Sequence, residues 1–292
     1  MMLEKIKYII VSMRPEQWAK NLFIFTPLVF SRRLLDTALL EKVAIGFVLF
    51  SLASSSVYLF NDIKDLESDK NHPHKRKRPL ASQKLRMSEA YLASIILISV
   101  AIVGGFLLDP KYFVVLLTYA VTNLAYSMKL KQLVILDVMV ISFGFVLRVL
   151  AGTALAGVMP SDWLIICTMT ISLFLGFCKR RQEIVRSEGN VADQRVVLRS
   201  YSLPFLDQMI AVVTACTVIS YALYTVSPGT VARFGTRNLI LTIPFVLYGI
   251  FRYLFLTYHE EKKENVIELI IGDPPFVLNI ICWFIMVLIV IY

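Results

Sequence analysis

Long uninterrupted apolar runs are the feature that most constrains this chain of 292 residues. An α-helix needs about 20 largely apolar residues to cross a bilayer. Because the runs are continuous rather than alternating, a helical bundle is favoured over a β-barrel. The apolar fraction of 57% also exceeds the roughly 45–50% of soluble proteins. We predict an all-α integral membrane protein with about nine transmembrane helices, at 19–32, 40–60, 89–108, 112–127, 134–157, 161–178, 207–227, 238–257 and 275–292.

Two segments between the predicted helices, 61–88 and 179–204, are longer and richer in charge than the other connections. No long soluble segment remains once the helices are assigned. We therefore predict a single transmembrane domain, 1–292, in which these two loops cap one side of the bundle.

The distribution of Lys and Arg predicts the orientation of the chain, because cytoplasmic loops carry an excess of these residues. With the N-terminus inside, 22 basic residues lie on inner segments and 6 on outer loops. This places both charged loops, and the chemistry they carry, at the cytoplasmic face of the cell (inner) membrane. The net charge of +9 suits that face and an anionic substrate. Nucleic acid is not favoured as a partner, since the basic residues lie on short loops between spans.

The most informative polar stretch begins where the second predicted helix ends. Asp62, Asp65 and Asp69 are spaced i, i+3, i+7, so on a helix they share one face. Three carboxylates there repel one another unless a cation lies among them, and Mg²⁺ favours carboxylates together with substrate phosphates. Lys75 and Arg78 follow within a basic run that can hold the rest of a polyphosphate. We predict a metal-diphosphate site here, with a charged interfacial helix end as the alternative.

Charged residues of the fifth predicted helix form a second candidate group. Arg148 lies about three helical turns after Asp137, so both occupy one face and Arg148 is the deeper in the membrane. An intramembrane Arg usually faces a partner or a cavity, so a buried ion pair and a cavity role both fit. Tyr126 and Lys129 end the preceding helix, where substrate binding and interfacial anchoring are both open.

Four further polar residues stand at the ends of predicted helices. Gln17 and Lys20 enter the first helix and suggest an edge that faces a cavity, although Lys20 could equally snorkel to the interface. Lys179 and Arg180 end the sixth helix, where ordinary positive-inside charge is the alternative.

Taken in order, these motifs resemble the UbiA superfamily of intramembrane prenyltransferases. Asn61-Asp62-x-x-Asp65-x-x-x-Asp69, followed by Arg78-Pro79-Leu80, is similar to the first signature of that superfamily. Further pieces resemble its decaprenyl-phosphate phosphoribosyltransferase branch. They are Arg14-Pro-x-Gln-Trp-x-Lys-Asn21, His72-Pro-x-Lys-Arg-x-Arg-Pro79, Tyr126-Ser-x-Lys129 with Leu136-Asp137, Gly144-Phe-x-x-Arg-x-x-Ala-Gly152, and Lys179-Arg180.

The resemblance implies a UbiA-like bundle with a cavity on the cytoplasmic side. It also implies phosphoribosyl pyrophosphate as donor, a polyprenyl phosphate as acceptor, and Mg²⁺ as cofactor. Asp62, Asp65 and Asp69 would then hold the metal, and Asn61 would orient a ligand or a bound water. The implied substrate-binding residues are Gln17, Lys20, Lys75, Arg78, Tyr126, Lys129, Asp137, Arg148, Lys179 and Arg180.

Two other functions remain as alternatives. Aromatic prenyltransferases of the superfamily carry a second Asp-rich motif, whereas here only Asp137 stands near that position. This departure disfavours transfer of a prenyl chain from a prenyl diphosphate to an aromatic acceptor. A transporter would favour ionisable residues near the membrane midplane and interrupted helices. Nearly all acidic residues of this chain lie instead at the predicted cytoplasmic ends of the helices, and a non-catalytic scaffold would leave them unexplained.

Overall fold

A computed structural model describes residues 2–71, 75–186, 196–259 and 266–292 of the chain. Within these ranges the secondary structure is helical and contains no β-strand, so the all-α prediction is confirmed. His72 and Pro73 of the predicted motifs, and part of the predicted 179–204 loop, lie outside the described residues. The chain divides into two compact units, Met1–Pro160 and Ser161–Tyr292.

The first unit contains seven α-helices among its described residues: α1 (Met2–Met13), α2 (Thr26–Phe30), α3 (Thr37–Lys64), α4 (Leu66–Asn71), α5 (Met87–Leu108), α6 (Pro110–Met128) and α7 (Leu136–Ala156). Three 3₁₀ segments connect them, at Pro15–Phe25, Lys75–Lys77 and Leu130–Gln132. The sequence marks several of these starts. Asp36 accepts a hydrogen bond from the Leu39 amide and caps α3. Asp109 caps α6, with Pro110 in the first helical position.

The core of the first unit lies among α3, α5, α6 and α7. Phe50, Leu116 and Ala151 are fully buried there. The Tyr112 hydroxyl donates to the carbonyl oxygen of Gly46 at 2.7 Å, which satisfies a polar group that would otherwise be costly in this environment. The packing therefore fixes α3 at the centre of the unit, where its C-terminal end carries the acidic motif.

The second unit contains α8 (Asp162–Arg186), α9 (Leu203–Val226), α10 (Pro228–Phe234), α11 (Ile243–His259), α12 (Val266–Ile271) and α13 (Pro274–Ile291), with 3₁₀ segments at Val196–Ser200 and Asn238–Thr242. α8 packs on α9, and α11 packs on α13. Asp273 caps α13, accepting from the Phe276 amide at 2.9 Å, and pairs with Arg252 at 2.7 Å. α8 continues to Arg186, so Lys179 lies within the helix and the first part of the predicted 179–204 loop is helical.

Seven helices of the described residues are long and apolar enough to cross a membrane: Thr37–Lys64, Met87–Leu108, Leu136–Ala156, Asp162–Arg186, Leu203–Val226, Asn238–His259 and Pro274–Ile291. The protein is an integral membrane protein. The other two predicted spans also coincide with helical structure. The span 19–32 falls on the Pro15–Phe25 segment and α2, and 112–127 falls on α6, where Thr118, Asn123 and other polar side chains lower the mean hydropathy.

Candidate active site

The acidic motif lies at the interruption between α3 and α4. α3 ends at Lys64, Asp65 adopts φ −95° and ψ 10°, and α4 begins at Leu66. The three carboxylates were predicted to share one face of a helix, and the structure interrupts that helix at Asp65. Asp62 and Asp69 have side chains only 4% exposed, whereas that of Asp65 is 40% exposed. The structure thus separates a buried pair from a third, more accessible carboxylate.

Two arginines hold the buried carboxylate pair. Nη1 of Arg78 donates to Asp62 Oδ1 at 3.1 Å and to Asp69 Oδ2 at 2.5 Å. Arg14 Nη2 donates to the same oxygen of Asp62. One cationic nitrogen therefore lies between two carboxylates, in a position that suits a positive ion. Among the described residues no three His, Cys, Asp or Glu side chains are gathered around a single metal position.

Arg14 belongs to one of the sequence motifs but is not among the residues predicted to form the site. It lies between α1 and Pro15 with φ 54° and ψ 63°, the left-handed region that non-glycine residues rarely adopt. Such a conformation costs of order 1–3 kcal/mol and persists only where the surroundings enforce it. Its guanidinium also lies over the ring of Tyr58, 5.1 Å from the ring centre. The ion pair with Asp62 and this ring contact hold its side chain, and backbone hydrogen bonds with Val11 and Gln17 hold its main chain.

The end of α6 and the 3₁₀ segment that follows it supply the partners of the remaining acidic-motif residues. Ser127 donates to the side-chain oxygen of Asn61, and Lys131 Nζ donates to Asp65 Oδ1 at 2.5 Å. Lys129, the lysine that the motif predicts to bind substrate, is exposed directly after the last residue of α6. Lys129 and Lys131 belong to the same short basic stretch, and their spacing in the sequence does not show which of the two contacts Asp65.

The Pro15–Phe25 segment lies against α3 through a group of serines. Trp18 Nε1 donates to Ser55 Oγ at 3.0 Å. Asn21 Nδ2 donates to Ser51 Oγ at 2.9 Å and to Ser54 Oγ at 3.3 Å. Gln17 and Lys20, both predicted to bind substrate, lie partly exposed on this segment. The serines were missed because small hydroxyl side chains are compatible with a membrane-spanning helix, and the run Ser54-Ser55-Ser56 does not show by itself which element it contacts.

Arg148 is buried, with 5% of its surface exposed. It donates through Nε to Asn21 Oδ1 at 2.8 Å, through Nη1 to the Gly144 carbonyl at 2.8 Å, and through Nη2 to Tyr119 Oη at 3.2 Å. These partners, all within the described chain, are neutral. Asp137, although fully buried on the same helix, lies about 16 Å away along the axis at 1.5 Å per residue, so the two form no ion pair.

The other predicted site residues differ in their burial and in the unit to which they belong. Lys75 is partly buried in the 3₁₀ turn Lys75–Lys77, and Tyr126 is partly buried near the end of α6. Lys179 and Arg180 belong to the second unit, where buried Arg180 pairs with Glu183 at 2.5 Å. Their roles, and the single-domain organisation, stay predictions.

Fold and site together define a class: an all-helical integral membrane protein whose polar site combines paired carboxylates with arginines at helix ends. The sequence model of the UbiA prenyltransferase family matches residues 24–268. The chain belongs to the UbiA prenyltransferase family, as the motifs predicted.

Named relatives and solved structures agree with this assignment. The decaprenyl-phosphate phosphoribosyltransferase of Mycobacterium tuberculosis is 31% identical over 249 residues, covering 84% of this chain and 82% of that protein. The enzyme of the same name from Mycolicibacterium smegmatis is 34% identical over 223 residues, covering 75% of this chain and 70% of that protein. A UbiA homologue from Archaeoglobus fulgidus, solved with DMAPP and Mg²⁺, superposes with a TM-score of 0.73 at 18% identity over 96% of this chain and 97% of that one. That likeness confirms the predicted fold.

Proposed function

We propose that the protein transfers the 5-phosphoribosyl group of phosphoribosyl pyrophosphate to a polyprenyl phosphate and releases pyrophosphate. The relatives that carry the corresponding name support this function, because their similarity extends over three quarters of the chain or more. The structural observation that carries it is the buried pair Asp62 and Asp69 held by Arg14 and Arg78. A donor with a metal-bound diphosphate needs carboxylates and guanidinium groups side by side.

We propose Mg²⁺ as the cofactor. Mg²⁺ is usually bound by one or two carboxylates together with substrate phosphates. Asp62 and Asp69 fit this pattern, because a single guanidinium nitrogen already lies within hydrogen-bonding distance of both. When bound, the ion would neutralise negative charge on the departing pyrophosphate. Asp65, whose carboxylate contacts Lys131, would contribute less directly.

The other charged and polar residues of the site would bind the phosphate groups of the donor and orient it. Arg14 and Arg78 would move from the carboxylates onto phosphate oxygens of the donor, which guanidinium groups bind in a bidentate manner. Lys75 and Lys129 would add positive charge for the 5-phosphate, and Asn61, fixed by Ser127, would orient a ligand. Gln17, Lys20, Tyr126 and Asp137 stay candidates for substrate contacts.

No general base is required for the transfer. A phosphate monoester is already anionic near neutral pH. One of its oxygens forms the new bond to the anomeric carbon of the ribose, and the bond from that carbon to the pyrophosphate oxygen breaks. The site therefore has to position two anions and stabilise the leaving group, which is electrostatic work.

We propose that the site faces the cytoplasm from the cell (inner) membrane. The excess of basic residues on the predicted inner segments supports this orientation. It would give the acidic motif access to a soluble donor while the polyprenyl chain of the acceptor stays in the bilayer.

The test is a transfer assay with purified protein in nanodiscs, labelled phosphoribosyl pyrophosphate, Mg²⁺ and a panel of polyprenyl phosphates. We expect a labelled lipid that is lost on chelation of the metal and in Asp62→Asn. A parallel arm offers labelled prenyl diphosphates with aromatic acceptors. Label transfer in that arm, with none from phosphoribosyl pyrophosphate, would assign the prenyltransferase alternative instead.

A further inference from the structure

Asn21 joins three elements of the first unit through one buried side chain. Its amide nitrogen donates to Ser51 and Ser54 of α3, and its amide oxygen accepts from Arg148 of α7. The side chain is 1% exposed, so its hydrogen bonds are made within the protein. Asn21 therefore fixes the Pro15–Phe25 segment between two long helices.

Arg148 is surrounded by groups that leave little access for a ligand. Each of its three nitrogens already donates to an acceptor. Its guanidinium lies 5.0–5.2 Å from the ring centres of Phe50, Tyr119 and Phe145, so its faces are also covered. Burying a cation among neutral partners costs free energy. A role in holding the Pro15–Phe25 segment would explain why Arg148 is buried here despite that cost.

The segment also approaches α7 at a second point, one helical turn further on. A Cβ added to Gly152 would lie 2.1 Å from the carbonyl oxygen of Ile24. Such a distance is impossible for a real side chain, so only glycine permits this approach. The motif Gly144-Phe-x-x-Arg-x-x-Ala-Gly152 and the motif that contains Asn21 thus contact each other directly.

We propose that Arg148 is a positioning residue that acts through Asn21 on the Pro15–Phe25 segment, and that it does not contact substrate. The segment begins next to Arg14, which pairs with Asp62 in the candidate site. Arg148 thereby sets the position of Arg14 and of the partly exposed Gln17 and Lys20. The effect expected on donor binding rests on the proposed function, whereas the effect on the segment does not.

A fluorescence experiment tests the positioning directly and requires no turnover. The chain has three tryptophans, so Trp163→Phe with Trp283→Phe leaves Trp18 as the reporter on the segment. We expect Arg148→Gln and Asn21→Leu to shift Trp18 emission to longer wavelength and to increase its quenching by iodide. Asn21→Asp keeps an acceptor for Arg148, and the serine hydroxyls can rotate to donate, so parent-like emission is expected.

Kinetics of the full-length protein supply the second measurement. Arg148→Gln and Asn21→Leu should each raise the KM for the donor about tenfold, as expected from loss of one hydrogen bond to a charged group. The double variant should show no further rise, because both changes break the same link. Thr153→Val is the matched control, since this buried hydroxyl on α7 donates to the Leu150 carbonyl.

The outcomes separate the two roles of Arg148. Unchanged Trp18 emission in Arg148→Gln, or additive effects in the double variant, would overturn the proposal. A substrate-contacting Arg148 would also make Asn21→Asp harmful, since a new carboxylate would repel the anionic donor. If the parent transfers no phosphoribosyl group, the proposed function fails, but the emission of Trp18 still decides the positioning role.

Discussion

At the scale of single residues, the unequal surroundings of the three aspartates matter most. Asp62 and Asp69 share the guanidinium of Arg78, while Asp65 is more exposed and contacts Lys131. We expect Asp62→Asn and Asp69→Asn to lower kcat/KM by about 10²–10³, the usual effect of losing one group that stabilises transition-state charge. Asp65→Asn should cost clearly less.

The measurement is steady-state transfer, made on variants that elute as the parent does in size exclusion. That control is needed because removing the charge of Asp62 leaves Arg14 without its buried carboxylate partner and Arg78 with Asp69 alone, which destabilises the fold. A loss in Asp65→Asn equal to that of the other two would show that all three carboxylates act alike.

The sequence predicted the type of site at this scale but not its arrangement. The acid-then-base order was visible, because the three aspartates and the basic run follow one another within a single short stretch of the sequence. The pairing of Asp65 with Lys131 joins residues that are 66 positions apart, so local spacing carried no information about it. Arg148 was expected to face a cavity or a carboxylate, and its neutral partners depend on tertiary packing.

At the scale of elements, the close approach of the Pro15–Phe25 segment to α7 predicts opposite effects for two glycines of one helix. Gly152→Ala would force the Ile24 carbonyl away and should destabilise the protein by about 1–3 kcal/mol, the range for overpacking. Gly144→Ala meets its nearest neighbour, Arg148 Nη1, at 3.5 Å, an ordinary contact. It should be neutral or stabilising by up to about 1 kcal/mol, because Ala favours helix.

Thermal unfolding in the same detergent compares the two glycine variants. Trp18 emission in the single-tryptophan background should change in Gly152→Ala alone. Equal melting temperatures of the two variants would show that the Pro15–Phe25 segment can move away from α7 without loss of stability.

A second element-scale prediction concerns the ion pair between Lys42 of α3 and Asp109 at the start of α6, with 2.9 Å between Nζ and Oδ2. Partial burial tends to raise the pKa of Asp109, but the hydrogen bonds from Lys42 and from the Tyr112 amide lower it on balance. A carboxyl group whose pKa is lower in the folded than in the unfolded state stabilises the fold at pH values above its unfolded-state pKa. This stabilisation is lost as the pH falls through the folded-state pKa.

Asp109→Asn keeps the helix cap and removes the charge, which makes it a matched test. Melting temperatures measured from about pH 6 to about pH 3, across the ordinary Asp range, should fall less steeply in this variant than in the parent. Identical slopes would show that the pair contributes nothing to acid sensitivity.

The positions of the long helices were predictable because each is a continuous apolar run. The Pro15–Phe25 segment was not recognised as a 3₁₀ element packed on α7, since its apolar residues resemble the start of a short span. The extension of α8 to Arg186 was also missed, because charged residues end an apolar run without ending a helix.

At the scale of the whole molecule, the orientation in the membrane is the property that function requires most. We expect an impermeant maleimide to label Met159→Cys in intact cells, and Gln83→Cys only after permeabilisation. Both positions are exposed, and the distribution of basic residues places them on opposite sides.

The background for labelling replaces the four free native cysteines, Cys167, Cys178, Cys216 and Cys282. Transfer activity of each labelling variant, measured before modification, shows that the fold is retained. Labelling of Gln83→Cys in intact cells, with Met159→Cys protected, would show that the topology is the reverse of the one expected and that the acidic motif faces outward.

The hydrogen bond between Asn21 and Arg148 has a consequence for folding during synthesis of the chain. Its two residues are 127 positions apart in the chain. At roughly 5–20 residues per second, the ribosome delivers the second on the order of ten seconds after the first. During that interval the newly made Pro15–Phe25 segment can contact α3, through the serines and through the pair of the adjacent Arg14 with Asp62, but it lacks its contacts with α7. Closure of this bond therefore requires α7, and a nascent chain halted before α7 would keep the contacts of Arg14 with α3 but would leave Asn21 without its partner Arg148.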